Sequence, residues 1–229
     1  MHSHLVSYLK DFITEERFNL FTDVVQHRTK HISYVIEDVF QPHNASAVVR
    51  SCDCFGIQDL HIIENTNTYK TDKNIALGAS KWVSIHKYND AENVTKNCLT
   101  HLKKKGFKIV ATSPHELDVT PQTIDLSQPL AIVFGKEKEG ISETVKQEAD
   151  IFMKIPMYGF TESLNISVAA AIIAQSLYSR LITSDVNWIL TEAQRAEVLV
   201  EWLSKSIKNS SLLLDSYFKN NPKLPNSLA

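Results

Sequence analysis

The sequence has no uninterrupted apolar run of the roughly 18 residues that a membrane span needs. Its first residues, MHSHLVSYLKDFITEERF, contain no apolar core of the kind that marks a secretory leader. Membrane insertion and export are therefore not expected, and the cytoplasm is the expected compartment. Cysteine is scarce: Cys52, Cys54 and Cys98 are odd in number and fall in or near helical segments, a poor disulfide framework that suits a reducing environment. Cys52-x-Cys54 lacks the usual zinc spacing and has no second ligand pair, so no metal is expected. An excess of positive charge is missing too. The formal net charge is −2, which excludes a protein that grips nucleic acid by bulk electrostatics and leaves any such contact to locally placed cations. Arg17, Arg28, Lys30 and Arg50 are the candidates, whereas Lys103-Lys104-Lys105 reads as a solvated helix end. Internal repeats and low-complexity tracts are absent as well, which excludes a solenoid or a disordered chain.

What is present is the composition of a folded globular protein, 43% hydrophobic and 22% charged over 229 residues. That length accommodates one catalytic domain with appendages. Between residues 32 and 155, short Ile- and Val-rich runs alternate with segments of helical period. Strands are expected at 32 to 38, 59 to 64, 82 to 88, 107 to 113, 130 to 135 and 150 to 156, several of them apolar on both faces. Strands of that kind lie in parallel sheets covered by helices. Helices are expected at 44 to 55, 90 to 105, 141 to 149 and 163 to 182, with Asn44 and Asn89 or Asp90 as caps and Gly106 as a stop. The result is a doubly wound α/β core. Ligands bind such cores beyond the carboxyl ends of the strands, which directs attention to the turns after 38, 112, 134 and 156. Residues 3 to 30 and 191 to 219 look helical, with Phe18, Phe21, Val24 and Val25 in the first and Val198, Leu199, Trp202 and Leu203 in the second forming packing stripes. The tail after Lys219 reads as disordered.

Three segments carry chemistry. In DVFQPHNASAVVRSCDCFGI, Pro42 forces extended backbone before it, Asn44 can cap a helix, and Arg50 follows nearly two turns later. A capped crossover helix with one exposed arginine accounts for that spacing equally well. In LAIVFGKEKEGIS an apolar strand runs into Gly135, Glu137 and Gly140, a turn where backbone approaches a ligand closely. It is neither a phosphate loop nor a dinucleotide fingerprint; a glycine turn with solvated charges is the plain alternative. In DIFMKIPMYGFTESLNISVAAAIIAQSLY a strand ends at Pro156, Gly159 sits in a loop, and Ser163-Leu164-Asn165 opens a helix whose Ala169, Ala170, Ala171 and Ala174 permit close packing.

Taken in this order, the segments resemble motifs 1, 2 and 3 of the SpoU family of RNA 2′-O-ribose methyltransferases, in the SPOUT superfamily. The matches are PHNxxAxxRxxxxFG at 42 to 56, FGxExxGI at 134 to 141 and IPMxGxxxSLNxSVAxA at 155 to 171. The flanking arrangement is most like the TrmH branch, which methylates guanosine 18 of tRNA.

The resemblance implies an α/β core, 32 to 182, with a C-terminal deep trefoil knot within 107 to 175. It also implies a helical RNA-contacting extension, 1 to 31, and a C-terminal extension, 183 to 229. It implies S-adenosyl-L-methionine as cofactor, held by Thr112, Gly135, Ile155 and Leu164 largely through backbone groups. A homodimer acting on tRNA without a metal is implied as well. Arg50 is the implied catalytic residue. A guanidinium keeps its proton, so its expected work is to fix ribose and phosphate and to stabilise developing negative charge. Asn44 is expected to orient Arg50 or the ribose, Glu137 to hold Asn44 or Arg50, and Ser163 and Asn165 to shape the pocket. Arg17 and Arg28 are expected on tRNA phosphate, and Arg180 and Arg195 are weaker candidates. Ribosomal RNA or the tRNA wobble nucleotide is the alternative target. A non-catalytic RNA-binding module and a nucleotide-binding α/β protein are the more distant readings.

Overall fold

The computed structural model describes residues 2–221 except 71, 90, 91 and 117. The end of the tail and the Asp90 cap lie outside these residues. The expected strands are present as β1 (Ile32–Glu37), β2 (Asp59–Ile63), β3 (Ser84–Tyr88), β4 (Lys108–Thr112), β5 (Leu130–Phe134) and β6 (Ile151–Met153). Among the described residues they form a six-stranded parallel sheet in the order β3-β2-β1-β5-β4-β6. The helices are α1 (His2–Leu9), α2 (Glu15–Val25), α3 (Pro42–Cys54), α4 (Lys73–Ala76), α5 (Val94–Lys104), α6 (Glu143–Glu148), α7 (Ile166–Leu181), α8 (Glu192–Ser206) and α9 (Ser210–Asn220).

Alternation within each strand feeds two apolar layers. Ile32, Tyr34 and Ile36 of β1 join Leu130, Ile132 and Phe134 of β5 in a cluster with α3 and α7. Val35, Ala131 and Val133 face the other way, into a cluster with Cys98, Leu99 and Leu102 of α5 and Val145 of α6. Strands apolar on both faces thus sit between two helical layers, as the sequence predicts. The alanines of α7 allow its backbone close to the sheet: Ala170 and Ala174 are fully buried, and the Tyr34 hydroxyl donates to the Ala170 carbonyl at 2.8 Å.

Several boundaries depart from the sequence reading. Helix α3 starts at Pro42, not after Asn44, because proline is preorganised for the first helical position; Asn44 is inside the helix and its side chain is released from capping. Helix α5 starts at Val94, since the amide of Asn89 donates to Glu64 instead of capping. Strand β6 stops at Met153, where the Lys154 N–H turns to the Val119 carbonyl. Gly106, at φ +87, ends α5 as expected.

The chain divides into two compact units, Thr29–Trp188 around the sheet and the described parts of Met1–Arg28 with Ile189–Ala229. In the second unit the predicted stripe of α8 is buried, and Phe21 meets Trp202 edge to face at 5.7 Å between ring centres.

One buried group in the sheet gives the fold a pH dependence. His61 is 3% exposed, stacks on His86 at 4.7 Å and lies 3.1 Å from the Tyr88 hydroxyl. Burial first, then the neighbouring His86, lowers its pKa from 6.5 to about 3, against the pull of Asp59. The unfolded chain therefore takes up this proton first, and stability falls as pH drops from 6.5 toward 3. Relative to a His61→Phe variant, the protein should lose on the order of 1 kcal/mol per pH unit in this window. Melting curves between pH 7.5 and 4.5 check it; parallel pH profiles for the two proteins would contradict it.

Candidate active site

The carboxyl ends of β4, β5 and β6 open into one cavity of about 520 Å³. It draws its walls from the turn after β4, the turn after β5 and the loop that leads into α7. Thr112, Gly135, Glu137, Ile155, Ser163, Leu164 and Asn165, seven residues singled out in the sequence, all line it. The turns after 112, 134 and 156 therefore converge, as the rule for open α/β sheets requires.

The turn after β5 is a tight hairpin in which Lys136 and Gly140 exchange backbone hydrogen bonds at 2.9 and 3.0 Å. Gly135 makes this possible: a Cβ there would run into the backbone of Gly140 and Ile141. The hairpin holds Glu137 half-buried, where its carboxylate accepts from the Asn44 amide at 3.0 Å and from the N–H groups of Phe40 and Gln41 at 3.3 Å each. Burial pushes the Glu137 carboxyl up, but these donors outweigh it and the net shift is downward, so the group is a carboxylate at neutral pH. The other end of the Asn44 amide accepts from Asn165 at 3.0 Å, and the Asn165 oxygen accepts from the N–H and hydroxyl of Ser167 at 2.8 and 2.6 Å. Asn165 is the N-cap of α7. A relay Glu137–Asn44–Asn165 thus ties together three segments far apart in sequence. Asn44 is 7% exposed, so its amide is oriented by these partners and not by solvent.

Not every predicted residue takes part as expected. Asn44 is hydrogen-bonded to Glu137 and Asn165, and no hydrogen bond joins it to Arg50. Arg50 is exposed on α3, outside the cavity lining, with no hydrogen-bond or ion-pair partner among the described residues. Six residues along a helix place it about 120° around the axis from Asn44 and roughly 9 Å further on. Thr112 lines the cavity with its hydroxyl donating to the Val133 carbonyl at 2.9 Å. Arg28 overturns an expectation: it is 3% exposed with its guanidinium 5.2 Å from the Trp202 ring, so it is a packing group and presents no surface to a phosphate. Arg180 is likewise committed, donating to the carbonyls of Pro121 and Ile124. Arg17 is exposed beside Phe21. The sequence reading missed Asp38 and Lys136, which form an ion pair at 3.1 Å across the same turns. An acid at the carboxyl end of the first strand, directly before the PHN segment, was the available signal.

The cavity is mixed in character: Phe134, Met153 and Ile155 offer apolar contact, the hairpin offers close backbone, and Glu116, Glu137, Glu139 and Glu162 share the lining with Lys136, Lys138 and Lys146. Among the described residues no three His, Cys, Asp or Glu side chains are grouped to hold a metal ion, and no helix is long and apolar enough to cross a membrane.

Comparison with known proteins points one way. The model of the SpoU rRNA Methylase family matches residues 31–175. A tRNA (guanosine(18)-2'-O)-methyltransferase of Borreliella burgdorferi is 37% identical over 204 residues, covering 89% of this chain and 92% of that protein. The crystal structure of the A. aeolicus TrmH/SpoU tRNA modifying enzyme is similar with a TM-score of 0.74 and 31% identity, over 85% of this chain and 98% of that one. The SpoU methyltransferase AviRb from Streptomyces viridochromogenes, in complex with the cofactor AdoMet, shares the fold at a TM-score of 0.56 and 20% identity, over 71% of this chain and 62% of that one.

Proposed function

Because the chain belongs to the SpoU rRNA Methylase family, we propose that it methylates the 2′-hydroxyl of a ribose in RNA with S-adenosyl-L-methionine, and that its target is guanosine 18 of tRNA. The observation that carries this reading is the Glu137–Asn44–Asn165 relay at the rim of a cavity lined by all four predicted cofactor contacts. The choice of guanosine 18 follows the Borreliella burgdorferi relative, whose likeness runs beyond the family core into the helical ends.

S-adenosyl-L-methionine, when bound, supplies a methyl group on a positively charged sulfur, already activated for in-line transfer. Everything else falls to the chain. Gly135, Ile155 and Leu164 supply close backbone and apolar contact for the bound nucleoside, and Glu137 places a carboxylate at the mouth. The relay fixes the turn after β1, the hairpin after β5 and the start of α7 in one arrangement, which converts a weak nucleophile's encounter into an oriented one. Arg50 faces outward to take the ribose and adjoining phosphate, and its charge stabilises the oxygen as the hydroxyl proton passes to solvent water. Arg17, on an exposed face of α2, is the proposed contact to tRNA phosphate in the N-terminal extension.

Two further features belong to this reading. The first is a trefoil knot within 107 to 175. It is supported by β6, which pairs with β4 on one side and with residues 118 and 119 on the other, so that it runs inside the connection from β4 to β5. The second is a homodimer, supported by Val168 and Ile172, which stand exposed four residues apart on α7. The working compartment in this reading is the cytoplasm, where tRNA is matured.

Transfer of labelled methyl groups to unmodified tRNA, to ribosomal RNA and to an anticodon stem-loop tests the function. Incorporation into tRNA alone is expected. Incorporation only into ribosomal RNA or the anticodon stem-loop would move the target, and no incorporation with cofactor bound would leave a non-catalytic RNA-binding module.

A further inference from the structure

We infer that Asp38 is a positioning residue for methyl transfer, acting with Lys136 as a strap that keeps the turn after β1 locked to the hairpin after β5; the inference rests on the function proposed above. Asp38 is 1% exposed and sits at φ +53, a left-handed backbone conformation uncommon outside glycine, though asparagine and aspartate enter it more readily than other residues. Such outliers persist where surrounding contacts over-determine them, and they cluster at functional sites.

Both carboxylate oxygens of Asp38 are engaged, one by hydrogen bonds and the other by an ion pair alone. One carboxylate oxygen of Asp38 accepts from the N–H groups of Thr66 and Asn67 at 2.7 Å each, and its carbonyl accepts from the Asn67 amide at 2.9 Å. Its own N–H donates to the Ile63 carbonyl at 2.8 Å. These bonds pin the residue to the end of β2. The second carboxylate oxygen meets the Lys136 ammonium at 3.1 Å. Lys136 is the neighbour of Glu137, and Glu137 in turn takes the N–H groups of Phe40 and Gln41, two and three residues after Asp38. Each turn therefore gives an acid to the other, and the two are crossed twice in opposite directions. Burial raises the Asp38 carboxyl, but the Asn67 and Thr66 N–H groups and Lys136 bring it below its ordinary value, so the strap is charged on both ends at neutral pH.

The residue type is informative. Glycine suits the positive φ, and asparagine still accepts from Thr66 and Asn67. Aspartate, like asparagine, does both, and it alone also pairs with Lys136. Relaxing this strap lets the hairpin carrying Glu137 shift against the helix carrying Asn44, which loosens the relay without touching the cofactor's apolar contacts.

Full-length Asp38→Asn, Asp38→Gly and Lys136→Met are to be compared with the unmodified chain in steady-state methyl transfer, cofactor titration and melting. Asp38→Asn is expected to lower kcat on the order of 100-fold, the loss that small misplacements produce, with KM for tRNA and cofactor affinity little changed. Asp38→Gly is expected to lose kcat similarly although the backbone is relieved. Combining Asp38→Asn with Lys136→Met should be no worse than either alone, because both remove one interaction. Near-normal kcat in Asp38→Gly would reduce Asp38 to a turn residue, and multiplying losses in the double variant would separate it from Lys136; either overturns the inference. The side-chain amide resonances of Asn44 and Asn165, read without RNA, give a second test: they should broaden in Asp38→Asn, and unchanged resonances in a folded variant would refute the strap. A chain whose unmodified form transfers no methyl group would instead refute the function, leaving the amide readout to decide on Asp38.

Discussion

Replacing Arg50 by lysine is expected to lower methyl transfer on the order of 100-fold or more while leaving the melting temperature unchanged. The two halves of that result come from one observation. Arg50 is exposed, with no hydrogen-bond or ion-pair partner among the described residues, so the folded chain gains nothing from its guanidinium. Surface substitutions of that kind stay within about 0.5 kcal/mol. The chemistry, by contrast, asks for a planar group with several fixed donors that can hold a phosphate oxygen and a ribose oxygen together. A lysine ammonium is a point charge on a flexible stem and reproduces the charge but not the geometry. Steady-state kinetics with tRNA, beside a melting curve, measures both. Near-normal turnover in Arg50→Lys would remove guanidinium geometry from the mechanism, and a large drop in melting temperature would make Arg50 structural.

Gly135→Ala should produce the largest loss of cofactor binding of any single methyl group added to the chain. The new Cβ would meet the backbone of Gly140 and Ile141, not the end of a flexible side chain, so the hairpin has to open. Overpacking of this sort costs about 1–3 kcal/mol, and the backbone displaced is that of Gly135 itself, which lines the cavity. A drop in cofactor affinity of at least about 10-fold is expected, since 1.4 kcal/mol corresponds to that factor, with a lower melting temperature. Gly159→Ala is the control: nothing lies within 4 Å of a Cβ at that position. Equal cofactor affinities for the two variants, measured by calorimetry, would show that the close approach at Gly135 has no bearing on the site.

Much of this was legible in the chain because it depends on local pattern. Strands such as LAIVF are apolar at every position, and their burial on both faces follows. Thr112, Gly135, Ile155 and Leu164 converge because the carboxyl ends of neighbouring parallel strands must. What was not legible depends on partners distant in sequence. Asn44 looks like a helix cap by its neighbours, and only the arrival of Glu137 and Asn165 draws it into the relay, while Pro42 starts the helix without it. Arg28 looks like a surface cation until Trp202 covers it. Asp38 gives no hint of its left-handed backbone, because the bonds that hold it come from Thr66, Asn67 and Lys136. The two helical ends read as separate appendages, yet their apolar stripes complete one another within a single compact unit.

This chain moves a methyl group onto one ribose oxygen. The most direct measurement uses two tRNA transcripts identical except that one carries 2′-deoxyguanosine at position 18, each incubated with the protein and labelled S-adenosyl-L-methionine. About one methyl group per molecule is expected for the ribose form and none for the deoxy form. Equal labelling of both transcripts, or labelling of neither, would contradict it.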